Sequence, residues 1–125
     1  MKNIFEKWNF IDDSENFYID TIVNNSEGLH ITICRDNISY KVIFESYFSY
    51  RISDESILFR IIENNSEIMD NNIFYIVENS SYIDFLKETG AFYDEVEMIH
   101  YAIYTENECV DIVVDIGNIP KFIKV

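Results

Sequence analysis

Short runs in which β-branched and aromatic side chains alternate with polar ones recur along this chain, separated by clusters of Asn, Asp and Ser. A period of two puts successive side chains on opposite faces of a strand, so this pattern commits the first half to antiparallel sheet with one buried side. Phe17 to Val23, Leu29 to Cys34 and Ile38 to Phe44 are the first three predicted strands, and Tyr47 to Ile52 is a fourth. Asn24-Asn25-Ser26-Glu27-Gly28 and Arg35-Asp36-Asn37 are short enough to close hairpins, which gives a meander. With only three Gly and one Pro in 125 residues, turn-making falls to Asn and Asp, which tolerate left-handed backbone better than most residues. Upstream, Ile4, Phe5 and Trp8 fit either one amphipathic helical turn or an edge strand.

In the second half, Ser53-Asp54-Glu55-Ser56 places a capping side chain and two acids before Ile57 to Ile62, as at a helix start. The alternation of Ile57, Phe59 and Ile61 suits a strand equally well. Ile73 to Val77 is a continuous apolar run of the central-strand kind. A short helix follows, with Ser80 or Ser81 as cap, Tyr82, Ile83, Phe85 and Leu86 on one face, and Gly90 as a left-handed stop. Met98 to Tyr104 and Cys109 to Val114 form a third hairpin through Thr105-Glu106-Asn107-Glu108. Both faces of that hairpin carry apolar residues, so it belongs in the middle of its sheet with a helix over one side. Pro120 bars a regular interior strand, and Lys121 to Val125 packs as a tail. The expectation is one α+β domain over residues 1–125: a mostly antiparallel sheet of six to eight strands with one or two short helices on one face. A hydrophobic content of 48 %, with ten Phe, nine Tyr and one Trp, supplies the core that separates this chain from disordered acidic sequences.

Charge carries the functional information. Between Ile61 and Pro120 there are thirteen Asp and Glu against a single base, Lys87, whereas the rest of the chain holds ten acids and eight bases. A net charge of −14 repels a phosphate backbone, so direct binding of DNA or RNA is excluded, and three isolated glycines cannot build a phosphate cradle. Clustered carboxylates instead steer encounter with a basic protein. Tyr93, Asp94, Glu95, Glu97, Tyr104, Glu106, Glu108, Asp111 and Asp115 are the candidate partner-binding residues, acids forming a stripe and aromatics supplying desolvated anchors. Two lone histidines in separate strands, His30 and His100, give no metal-ligand spacing, and no cofactor motif is present. His100 facing Cys109 or Asp111 across the hairpin is the one arrangement that hints at an enzyme. Cys34 and Cys109 read as two reduced, buried thiols, and without a signal-type or membrane-spanning apolar run the expected setting is cytoplasmic.

Three stretches, Ser49-Tyr50-Arg51-Ile52-Ser53-Asp54-Glu55-Ser56, Phe74-Tyr75-Ile76-Val77-Glu78-Asn79-Ser80 and Ile99-His100-Tyr101-Ala102-Ile103-Tyr104-Thr105-Glu106-Asn107-Glu108-Cys109-Val110-Asp111-Ile112, resemble small acidic immunity proteins. These are single-domain bacterial proteins that neutralise polymorphic or contact-dependent toxins. The resemblance implies a non-catalytic inhibitor that occludes the cationic active site of a basic toxin domain, a nuclease above all. A phage- or mobile-element-encoded nucleic-acid mimic that blocks a host defence protein is the alternative role for such charge.

Overall fold

The computed structural model describes residues 3–8, 14, 16–54, 56, 72–90 and 95–125. Nine strands and one helix lie within them: β1 (Ile4–Lys7), β2 (Tyr18–Asn25), β3 (Gly28–Arg35), β4 (Ile38–Phe44), β5 (Ser49–Asp54), β6 (Phe74–Glu78), α1 (Ser81–Thr89), β7 (Met98–Tyr104), β8 (Glu108–Asp115) and β9 (Lys121–Lys124). All pairings are antiparallel, as the alternation predicts. The strands form two sheets, however, ordered β1-β6-β7-β8-β5 and β2-β3-β4-β9. The expected six to eight strands fall short because both ends of the chain add one. Ile4, Phe5 and their neighbours make edge strand β1 against β6, and the predicted tail pairs with β4 as β9, directly after Pro120. The segment Ile57 to Ile62, open between helix and strand, lies outside the described residues.

The sheets pack face to face. Ile19, Leu29, Ile31, Ile33, Val42 and Phe44 of the four-stranded sheet meet Phe74, Tyr101, Ile103, Val110, Ile112 and Val114 of the five-stranded one in a single buried cluster. Trp8 lies against Tyr101 with ring centroids 4.3 Å apart and also reaches Phe44 across the interface. Each fully buried Leu, Ile or Phe here contributes about 1.5–3 kcal/mol over its exposed state, so this interior carries the bulk of the stability.

Turn chemistry follows the Asn and Asp count. Asn16, Asp36 and Asn79 take positive φ values, Asp36 closing the β3–β4 hairpin and Asn79 leading into the helix. Ser80 caps α1, its side chain accepting from the Ile83 N–H at 3.1 Å, while Asn3 Oδ1 accepts from the Ser81 N–H at 2.9 Å. Gly90 does not make the left-handed stop predicted for it: its φ of −123° is extended, and its N–H ends the helix by bonding the Leu86 carbonyl at 2.9 Å. β7 and β8 occupy the middle of the five-stranded sheet, with α1 over one face through Tyr82 and Leu86 against Val113.

Candidate functional site

The β7–β8 hairpin splits its residues strictly. Tyr101, Ile103, Val110, Ile112 and Val114 point into the sandwich, which sends His100, Ala102, Tyr104, Cys109, Asp111 and Val113 to the outer face. That outer face is not open. Phe5, Tyr75 and Val77 pack with Ala102, Tyr104 and Cys109, and α1 covers Val113. Asp111 is therefore 3 % exposed and His100 1 %.

A buried carboxylate survives only when it is paired. Asp111 Oδ1 accepts from His100 Nε2 at 2.7 Å and from the Tyr104 hydroxyl at 2.6 Å, and Oδ2 accepts from Arg51 Nε at 3.1 Å. Strand order makes this possible, since β5 lies beside β8 and its register sets Arg51 opposite Asp111. On the far side of the imidazole, His100 Nδ1 lies 2.7 Å from Ser80 Oγ, the helix cap. Ser80 Oγ, which accepts from the Ile83 N–H, is thereby linked through the imidazole to Asp111 in one chain of hydrogen bonds. The Arg51 guanidinium also stacks on the Tyr82 ring at 4.2 Å, and the Tyr82 hydroxyl meets Ser49 Oγ. Burial by itself would push the Asp111 carboxyl up. The hydrogen bond and charge of His100, the Arg51 charge and the Tyr104 hydroxyl outweigh it and hold the group below its usual range. Burial, reinforced by the Asp111 charge, raises the Tyr104 phenol well above its ordinary value.

Two predicted partner-binding residues are corrected by this geometry. Asp111 and Tyr104 are buried on the covered outer face and hold each other, so neither is available to a docking protein. His100 does reach Asp111, but Cys109 sits opposite Tyr104 and its thiol is pushed up to about 12, first by burial and then by the Asp111 and Asp54 charges. A thiol so raised is a packing group rather than a nucleophile. Both ring nitrogens of His100 and both oxygens of Asp111 are engaged within the protein, which turns the constellation toward holding α1 on the sheet.

The remaining acids separate into two groups. Glu95 and Glu97 are exposed at the start of β7, where Met98 pairs with Asp115, itself partly exposed. Glu106, exposed, and Glu108, partly exposed, lie at the hairpin tip. The two ends are about 20 Å apart at about 3.4 Å per residue, with buried side chains between them, so the expected continuous stripe does not form on this hairpin. Tyr93 and Asp94 lie outside the described residues.

At the first end the charge meets a groove of about 370 Å³ between the end of β6, the start of β7 and the N-terminal turn of α1. Ile76, Val77, Ile83, Met98, Ile99 and Ile116 give it an apolar lining, and Glu78, Asn79, Ser80 and Asp84 add its polar atoms. Glu97 and Asp115 immediately precede the lining residues Met98 and Ile116, and the Glu97 carbonyl accepts from the Ile116 N–H at 3.1 Å. Glu78 and Asp84, absent from the predicted set, are thus joined to it by strand order, which no local pattern reveals. Among the described residues no three His, Cys, Asp or Glu side chains converge as metal ligands, and no described helix is long and apolar enough to cross a membrane. Comparison with protein-family models, with curated proteins and with solved structures returns no match. Fold and groove together define a two-sheet antiparallel sandwich with an acid-rimmed apolar groove at one end.

Proposed function

We propose that this chain is a non-enzymatic inhibitor of the immunity-protein kind, which docks a basic protein partner at the acid-rimmed groove and occludes that partner's cationic site. The supporting observation is the coincidence of apolar lining with carboxylates: Glu78 and Asp84 in the groove, Glu97 and Asp115 next to its lining residues Met98 and Ile116. Apolar contact supplies the desolvated centre of an interface, and a surround of one charge sign supplies steering and register. The helix N-terminus beside the groove does not reverse that sign, because Ser80 and Asn3 already occupy its N–H groups and Asp84 adds a carboxylate to the first turn. The resemblance to immunity proteins names the partner class, a toxin domain that acts on nucleic acid and so carries the lysines and arginines that normally hold phosphate.

A nucleic-acid mimic requires carboxylates in a row at phosphate intervals. The hairpin offers two groups about 20 Å apart instead, which favours the local docking mode. The test is the rate of association with the protein encoded by the adjacent open reading frame, measured between about 0.05 and about 0.5 M salt. The expected rate falls steeply with salt, and charge reversal at Glu78 with Asp84 slows it at least about tenfold. A rate insensitive to salt, or one lowered only by reversal of Glu106 with Glu108, overturns the assignment of the groove.

A further inference from the structure

Between β8 and β9 the chain holds Ile116 and Ile119 out in water on a loop that is otherwise tied down. Asp115 opens a turn in which its carbonyl accepts from the Asn118 N–H at 2.9 Å and its Oδ1 accepts from the Gly117 N–H at 2.9 Å. The Ile116 N–H bonds the Glu97 carbonyl at 3.1 Å, Asn118 Nδ2 donates to Ser46 Oγ at 2.6 Å, and Pro120 is buried. Backbone on either side of Ile119 is therefore fixed, and the proline ring that follows restricts Ile119 itself. Ile116 is 53 % exposed and Ile119 79 %, a value no other large hydrophobic side chain among the described residues exceeds. Neither belongs to the core clusters. One exposed apolar side chain is ordinary, but these continue a surface: Ile116 lines the groove beside Ile76, Met98 and Ile99, and Ile119 follows on the same loop.

We propose that this loop anchors the interface at the groove, Ile119 inserting into an apolar cavity of the partner whose border carries lysine or arginine. The assignment rests on the reading of the groove as the docking site. Charge sets the chemistry of the border. Asp115 begins the turn, Glu97 is bonded to it through the backbone, and Lys121, the nearest base along the chain, is already ion-paired with Glu45. A surface that receives Ile119 thus meets carboxylates at its edge and needs cations there, with an apolar floor at the centre. Rigidity sets the role of the side chain. An anchor already held in place loses little conformational freedom on docking, so burying it strengthens the complex more than burying a mobile side chain of equal area. The acids act before contact, on the rate of association, and Ile119 acts after it, on the rate of dissociation.

The test measures both rates with the protein encoded by the adjacent open reading frame, at about 0.05 and about 0.5 M salt. The parent, Ile119→Ser, Ile119→Leu and the charge reversal of Glu78 with Asp84 are compared. Ile119→Ser raises the dissociation rate at least about tenfold at both salt concentrations and leaves association within about twofold of the parent. Ile119→Leu, which keeps the apolar area, recovers most of that loss. The urea transition of Ile119→Ser stays with the parent, because the side chain is exposed in the free chain. A dissociation rate that Ile119→Ser leaves unchanged, while reversal of Glu78 with Asp84 still slows association, overturns the anchor and leaves the groove as the docking site. So does an effect of Ile119→Ser confined to association. Absence of binding, or association insensitive to salt, overturns the reading of the groove and the anchor with it.

Discussion

Replacing Asp111 by Asn tests whether the outer face of the five-stranded sheet is held by a charged network. The carboxylate accepts three hydrogen bonds, from His100, Tyr104 and Arg51. A carboxamide of the same shape keeps one oxygen acceptor but sets an NH2 group against either the Arg51 N–H or the donors of His100 and Tyr104. A donor facing a donor in a buried site costs about 1–3 kcal/mol, and bonds that lose their charge assistance lose about as much again. Arg51 is 50 % exposed and regains water, so the total belongs near the lower end of the range for broken buried pairs, about 3 kcal/mol. For a chain of this length that corresponds to a fall in Tm of about 11 °C. Urea unfolding followed by Trp8 fluorescence and far-UV circular dichroism measures it, with Asp115→Asn as a partly exposed control that changes stability by less than about 0.5 kcal/mol. The dependence on pH gives the sign. Asp111 is held below its usual 3.8 in the folded state, so its contribution is complete above that value and disappears as pH falls through the lower, folded one. The gap between parent and variant is therefore full at pH 7 and closes in acid, while general repulsion among the other carboxylates cancels in the difference. A loss below about 1 kcal/mol at pH 7, or a gap that widens on acidification, refutes the network as described.

Ser80→Ala removes the cap of α1 and the partner of His100 Nδ1 together, and costs about 1–2 kcal/mol in urea unfolding, whereas Ser80→Thr keeps most of that stability because its hydroxyl can still cap. Gly28 has φ of +114°, and a Cβ there would lie 2.3 Å from the Phe44 carbonyl oxygen, so Gly28→Ala destabilises by about 2 kcal/mol or more in the same measurement. Cys34 and Cys109 are both buried, and Cys109 is raised to about 12, so a thiol reagent at pH 8 labels neither in the folded chain and both in urea; stoichiometric labelling without denaturant contradicts their placement.

Much of the fold was legible because it was written locally. Ile38 to Phe44 and Met98 to Tyr104 come out with the bounds their alternation gives, and Ser80 caps the helix that its spacing announces. What sequence could not supply was lateral order. Nothing in Arg51 or its neighbours says that β5 lies beside β8, and without that pairing Asp111 reads as one more surface acid. A local sign was present all the same: Asp111 stands between Val110 and Ile112 in a run continuing to Val113 and Val114, where a lone carboxylate must either break the strand or find buried donors. The groove failed to show for the same reason, since Glu78, Asp84 and Ile116 come from three elements that only the β6-β7-β8 order and the helix over it bring together.

Strand order also determines what the charge can do. Thirteen acids in one half of the chain suggest a single negative field, yet β7 and β8 lie at the centre of their sheet, and central strands have their middles buried on both faces. Charge placed along such a hairpin is confined to its two ends, and an acid that falls between them, as Asp111 does, needs donors such as His100, Tyr104 and Arg51 to remain ionised. The four-stranded sheet, with one face against the core and the other toward solvent, has no carboxylate at the paired positions of that outer face. Screening by salt therefore acts first on whatever meets the carboxylates at the two ends of the hairpin.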